Sequence, residues 1–187
     1  MEFIDTPING AYVIEPERIG DERGFFARLW CERELVDRGL DTTVRQTNIG
    51  VSTRRGTLRG LHYQRAPHAE VKLIRCPRGA IFDVIVDLRP ESPSFGRWHG
   101  VELDQGNSRA LYVPAGCAQG YITLADDTEI YYHASRFHAP EAATGVRWDD
   151  PAFAIEWPLD PVVISEADRN WPRFVATAGT PTEEMPT

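Results

Sequence analysis

The sequence is poor in the features that mark whole classes of protein. It has three cysteines, Cys31, Cys76 and Cys117. Their number is odd, their spacing is wide, and none forms a C-x-x-C or zinc-type pair, so a disulfide framework is not expected and a reducing cytoplasm suits them. No run approaches the ~18 apolar residues of a spanning helix, and the N-terminal stretch lacks the charged-then-apolar pattern of an export signal. A soluble, cytoplasmic protein with no membrane partner is expected. Positive charge is also in deficit: 28 acidic residues against 20 basic ones give a formal net charge of −8. That balance repels polyanions and argues against a nucleic-acid partner, so any phosphate must be held by a few local bases. Internal repeats and low-complexity tracts are absent, and helical periodicity is scarce.

What remains is an ordinary globular composition. With 187 residues, 42% hydrophobic and 26% charged, the chain fits one domain around one core, assigned here to 1–175, and Ala176 to Thr187 reads as a disordered tail. From Thr43 to His133, short stretches rich in Val, Ile, Tyr and Leu alternate with turn chemistry. The punctuation is Arg55-Gly56, Arg78-Gly79, Arg89-Pro90, Gln105-Gly106-Asn107, Pro114-Ala115-Gly116 and Asp126-Asp127. This is the pattern of an all-β sandwich or barrel with antiparallel strands. In Ile81 to Leu88 strict alternation puts Phe82, Val84, Val86 and Leu88 on a core face. Ile81, Asp83, Ile85 and Asp87 fall on a second, mixed face. Helix is predicted over Cys31 to Arg38, closed by Gly39, and for a short turn after Ser165. Trp157-Pro158 and Trp171-Pro172 read as wrapping coil.

Potentially reactive groups are densest between Arg55 and Lys72, in RGTLRGLHYQRAPHAEVK. On a regular strand Arg59 and His62 would point apart; a bulge at Gly60 would turn both toward one cavity. Read singly, His62 is either reactive or a satisfied core or edge histidine, and Arg59 and Lys72 are either functional or solvated strand charges. A metal site is disfavoured because Gln64 stands where a second nearby imidazole would be needed, and His68, His99, His133 and His138 make no ligand spacing with His62. Cys117 reads as a small buried residue, and Asp126-Asp127 and Asp149-Asp150 as turns.

Several ordered elements together carry more weight. RGFF (Arg23 to Phe26), QTN (Gln46 to Asn48), LRGLHYQ (Leu58 to Gln64), KLIRC (Lys72 to Cys76) and FDVIVDLR (Phe82 to Arg89) resemble the dTDP-4-dehydrorhamnose 3,5-epimerase family. So do SPSFGRW (Ser92 to Trp98), VPAGCAQGY (Val113 to Tyr121) and PEAATGVRWDDP (Pro140 to Pro151). The resemblance implies a double-stranded β-helix, a cupin-like jelly roll with a few short helices, assembled as a homodimer whose N-terminal residues line the partner's site. It implies an epimerase of a nucleotide-linked 4-keto-6-deoxy sugar, acting at C3 and/or C5 without metal or redox cofactor. By resemblance His62 is the base, Asp168 its orienting carboxylate, Lys72 the group facing the enolate and Tyr132 the acid on the opposite face. Arg23, Phe26, Gln46, Asn48 and Arg59 map onto substrate contacts.

The chemistry accounts for these residue types. A proton beside a ketone is removable only if positive charge or donors meet the charge that arrives on oxygen, which Lys72 supplies. A neutral imidazole held by a carboxylate takes the proton, and a phenol, protonated at neutral pH, returns one from the other side. Three positions depart from the family's pattern: Arg28 where Glu is common, Gln119 where histidine is usual, and His138 in place of a tyrosine. All three are expected in or near the site, altering substrate or extent of epimerisation. The alternatives are a single-site (C3 or C5) epimerase on another nucleotide sugar, a non-catalytic sugar-nucleotide-binding cupin, and a 4-keto-sugar ketoisomerase.

Overall fold

A computed structural model describes residues 1–175; the tail expected from Ala176 to Thr187 lies outside them. In chain order the elements are β1 (Glu2–Asp5), β2 (Tyr12–Glu15), β3 (Arg18–Asp21), β4 (Gly24–Ala27), α1 (Glu32–Val36), β5 (Gln46–Ser52), β6 (Thr57–Gln64), β7 (Lys72–Arg78) and β8 (Ala80–Asp87). They continue with β9 (Trp98–Asp104), β10 (Ala110–Val113), β11 (Cys117–Thr123), β12 (Thr128–Ala134), β13 (Ala143–Gly145), β14 (Val163–Ile164) and α2 (Glu166–Arg169). Two six-stranded sheets form. One runs β1-β2-β10-β7-β12-β5; the other runs β13-β6-β11-β8-β9, with β14 added parallel to β6. From β9 to β12 successive strands alternate between the sheets, which is jelly-roll connectivity.

All six predicted turns fall between strands. The sheet region is wider than Thr43 to His133, because β1 and β2 extend the first sheet through pairing of β2 with β10. Helix α1 lies within the predicted segment and is followed by Gly39 at φ 70°, a conformation that costs glycine little. Helix α2 starts where Ser165 Oγ accepts the Asp168 N–H at 3.0 Å, an N-cap that satisfies an otherwise unpaired donor.

The mixed face predicted for β8 is corrected: both of its faces are buried. Ile81 and Ile85 join Ile74, Leu103, Leu111 and Val113 in the core between the sheets, and Asp83 and Asp87 are each 0% exposed. The other face is a second core, where Val84 and Val86 pack with Leu61, Val146 and Phe153, and Phe82 meets Trp157 edge-on. The C-terminal coil thus wraps the outside of the second sheet. Asp83 and Asp87 on the inner face depart from the uniformly apolar pattern expected of a strand buried on both sides. The β3–β4 hairpin pairs with neither sheet and exposes Ile19, Phe25 and Phe26.

Candidate active site

A cavity of about 480 Å³ opens between the two sheets. Its lining includes Arg59, His62, Lys72, Gln119, Tyr121, Tyr132 and Asp168. The bulge expected in β6 is present: His62 pairs with Gln119 and Arg59 with Tyr121, so two residues, Gly60 and Leu61, face the single Gly120. The slip reverses the alternation. Arg59 and His62 both reach the cavity, while Leu61 turns to the outer core. Gly60 has φ 124°, and a Cβ there would lie 2.5 Å from Gly120 Cα, so only glycine permits this approach.

His62 Nε2 lies 2.5 Å from Asp168 Oδ1. The carboxylate can only accept, so it fixes the proton on Nε2 and leaves Nδ1 as the free base. Asp168 is 5% exposed. Burial works to raise its pKa, but hydrogen bonds from His62, the Gly60 N–H and the Trp171 indole outweigh it and hold the group below the ordinary carboxylate value. Trp171 donates to Asp168 Oδ1 at 3.2 Å and stands edge-on to the His62 ring. Read as wrapping coil from sequence, Trp171 in fact completes the dyad; its place three residues after Asp168 was the available signal.

Lys72 and Tyr132 face this dyad from the opposite sheet. Both reach the cavity from neighbouring strands of that sheet, β7 and β12. Lys72, which read singly as a strand charge, is 9% exposed at the start of a strand with neighbours on both sides. Its Nζ lies 3.3 Å from Glu70 and 3.4 Å from the His62 carbonyl. The Tyr132 phenol is pushed above its ordinary pKa, by burial first and by the charge of Glu70 second, so it stays protonated at neutral pH. The His62 imidazole and the Tyr132 phenol therefore line one cavity from opposite sheets.

Gln119 Nε2 donates to Asp83 Oδ1 at 2.6 Å. With its donors turned to Asp83, Gln119 offers the cavity its carbonyl oxygen, an acceptor. Burial pushes the Asp83 carboxyl up to about 7, against the pull of Gln119 and Lys72. Asp83 and Tyr121 were missed from sequence because their strands were not known to face inward.

Of the remaining predicted residues, only Arg59 lines the cavity. Arg59 donates to the Val51 carbonyl at 3.1 Å with its guanidinium partly open. Asn48 pairs with Tyr132 across β5 and β12, and Gln46 accepts the His138 N–H; neither Gln46 nor Asn48 lines the cavity. Two of the three departures do not line it within the chain: Arg28 is paired with Glu34 at 3.0 Å, and the His138 side chain is exposed. Only Gln119 fulfils that expectation. Arg23 is exposed and bound to Asp21, and Phe26 is 72% exposed on the hairpin. His68, His99, His133 and His138 all lie off the cavity, and among the described residues no three His, Cys, Asp or Glu side chains cluster as metal ligands. Burial pushes the Cys117 thiol up to about 12, which suits a packing residue.

A profile of dTDP-4-dehydrorhamnose 3,5-epimerase matches residues 5–176. The chain belongs to this family. It is 44% identical over 174 residues to the dTDP-4-dehydrorhamnose 3,5-epimerase of Methanothermobacter thermautotrophicus, covering 91% of this chain and 93% of the relative. The crystal structure of the Bacillus anthracis enzyme with TDP and PPi bound superposes with a TM-score of 0.89 at 39% identity, over 92% and 99% of the two chains. A 3'-monoepimerase from Streptomyces bikiniensis in complex with dTDP-quinovose matches at a TM-score of 0.81 and 37% identity, over 89% and 84%. The epimerase family is thus shown by sequence and by fold, and the fold is its cupin-like jelly roll. No helix among the described residues is long and apolar enough to cross a membrane.

Proposed function

We propose that this epimerase acts on a nucleotide-linked 4-keto-6-deoxy sugar of the dTDP-4-dehydro-6-deoxyglucose type, inverting C3 and C5 through an enolate. The observation that carries this is the placement of His62, on one sheet and held by Asp168 of α2, across the cavity from Lys72 and Tyr132 on the other sheet. His62 Nδ1 takes the proton beside the ketone, the Lys72 ammonium meets the charge arriving on the C4 oxygen, and Tyr132 returns a proton from the far side. No metal or redox cofactor enters these steps. Arg59 is the base available for phosphate, with Gln46, Asn48 and His138 toward the nucleotide.

In a homodimer, Arg23, Phe26 and Arg28 reach the partner's cavity. Supporting this, an isolated two-stranded hairpin is marginal in water, and β3–β4 carries apolar side chains that its own chain leaves uncovered. The ligands of the related crystal structures favour a dTDP sugar. Gln119, in place of the family's usual histidine and directly on the cavity, favours single-site epimerisation as the second reading.

The test is incubation with dTDP-4-keto-6-deoxyglucose in deuterated water. Uptake at C3 and C5 with inversion is expected; uptake at one carbon selects the single-site reading, and uptake at neither sinks both. Tyr132→Phe is expected to take up deuterium with retained configuration, because His62 still removes the proton and, after exchange with solvent, returns a deuteron to the same face. Full inversion in that variant would remove Tyr132 from its role.

A further inference from the structure

Lys72 is the only lysine of the chain, and an ammonium this deep needs a counter-charge and fixed partners to remain where it is. Both are supplied by a short strap. Glu70 Oε1 lies 3.3 Å from Lys72 Nζ, and the two side chains are only 12% and 11% exposed. The other oxygen, Oε2, accepts from Gln64 Nε2 at 3.2 Å. Gln64 is itself saturated. Its two N–H groups are shared among Glu70 and the carbonyls of His68 and Phe137, and its Oε1 accepts the Ala139 N–H at 2.7 Å. This explains a buried glutamine that touches no part of the cavity: it clamps the strap between β6 and β7 and aims Glu70.

We propose that Glu70 is the positioning residue of the epimerase site. It holds the Lys72 ammonium so that its free N–H faces the C4 oxygen, and it keeps negative charge beside Tyr132. An ammonium has three N–H donors. With one directed to the His62 carbonyl and Glu70 holding the ammonium by charge at 3.3 Å, an N–H is left for the cavity. The carboxylate does not touch the substrate; it acts through Lys72 and Tyr132. Its charge disfavours the phenolate, which adds to the effect of burial on Tyr132. One group thereby serves both the electrophile and the proton donor, which lie on neighbouring strands of the same sheet.

The kinetic arm of the test rests on the epimerase reading, so a second arm needs no substrate. In protein labelled with 13C-lysine, one side-chain signal reports Lys72 directly. Glu70→Gln is expected to displace that signal, whereas Glu141→Gln, at an exposed carboxylate paired only with His68 at 3.8 Å, leaves it in place. In turnover, Glu70→Gln is expected to lower kcat by about 10- to 100-fold with KM changed less than about threefold, the pattern of an interaction made in the transition state. The alkaline limb of its pH profile moves to lower pH as Tyr132 loses its negative neighbour.

Glu70→Asp keeps the charge on a shorter arm, so its kcat falls while the alkaline limb stays. Thermal melts establish that each variant is folded; if Glu70→Gln does not fold, Glu70→Asp and the lysine signal decide. An unmoved lysine signal, or a folded Glu70→Gln enzyme with wild-type kcat and pH profile, overturns the proposal. Absence of turnover in the wild type with a displaced lysine signal would refute the substrate assignment and leave the positioning role standing.

Discussion

Asp83 and Asp87 stand four residues apart on one face of β8, and each is 0% exposed. One lies in the cavity region and the other at the corner where β8 leaves the barrel. Their environments drive them in opposite directions. At the cavity, burial dominates and Asp83 is pushed up to about 7 with Gln119 as its side-chain donor. At the corner burial again works upward, but Arg89, Ser92 and Ser94 donate to Asp87 and bring it down to about 2. Arg89 Nε approaches at 2.8 Å and Ser94 Oγ at 2.6 Å, and the same cluster ties down the N-terminal turn through Asn9. Burial alone therefore does not decide whether a carboxylate is charged; the number and charge of its donors does. The corner is built for stability. The cavity carries groups left incompletely satisfied, as sites that must exchange protons do.

The sharpest way to separate the two regions is a third carboxylate, Asp168, which is buried like the others but committed to His62. Asp168→Asn removes the charge and turns one of the two accepting oxygens into an NH2 donor, so the imidazole's tautomer is no longer fixed. It is expected to lower kcat by roughly 10³- to 10⁴-fold while thermal stability changes little. Steady-state kinetics beside a melting curve would show this. A loss in stability that matched the loss in rate would mean that the dyad is structural.

The corner should give the converse result. Asp87→Asn leaves the half-buried Arg89 without its charge partner and is expected to cost about 3 kcal/mol in denaturant unfolding, with kcat unchanged. The wild-type corner has its own pH signature. The folded pKa of Asp87 is depressed, so its contribution is present above the ordinary value of 3.8 and is lost as pH falls through about 2. An Asp87→Asn enzyme as stable as wild type at neutral pH would break the contrast.

The smallest effect, and of opposite sign, is expected at Asp83. Its folded pKa is raised, so its stabilising contribution is complete below about 3.8 and disappears as pH rises through about 7. Asparagine does not titrate. Asp83→Asn should therefore gain about 2 kcal/mol relative to wild type between pH 5 and pH 8, measured by paired denaturant titrations. A constant difference across that range would place the carboxyl of Asp83 in the ordinary class.

The sequence by itself determined much of this protein. Turn residues located the breaks between strands, because glycine, proline and aspartate have few other uses at such spacing. The ordered motifs around His62 and Lys72 carried the family, and the resemblance brought with it the expected roles of His62, Asp168 and Lys72. Even the bulge at Gly60 could be inferred, since Arg59 and His62 cannot share a cavity on a regular strand. Tertiary structure alone decided the inward side of β8, because alternation gives two faces and does not name the one that a second sheet will cover. It decided also that Trp171, Glu70 and Gln64 support the site, while Arg28 and His138 stay off the cavity of their own chain. Those roles depend on contacts between residues as far apart as Gly60 and Asp168, whose N–H to carboxylate distance is 3.3 Å. Local pattern carries no information about such pairs; only the closure of the two sheets brings them together.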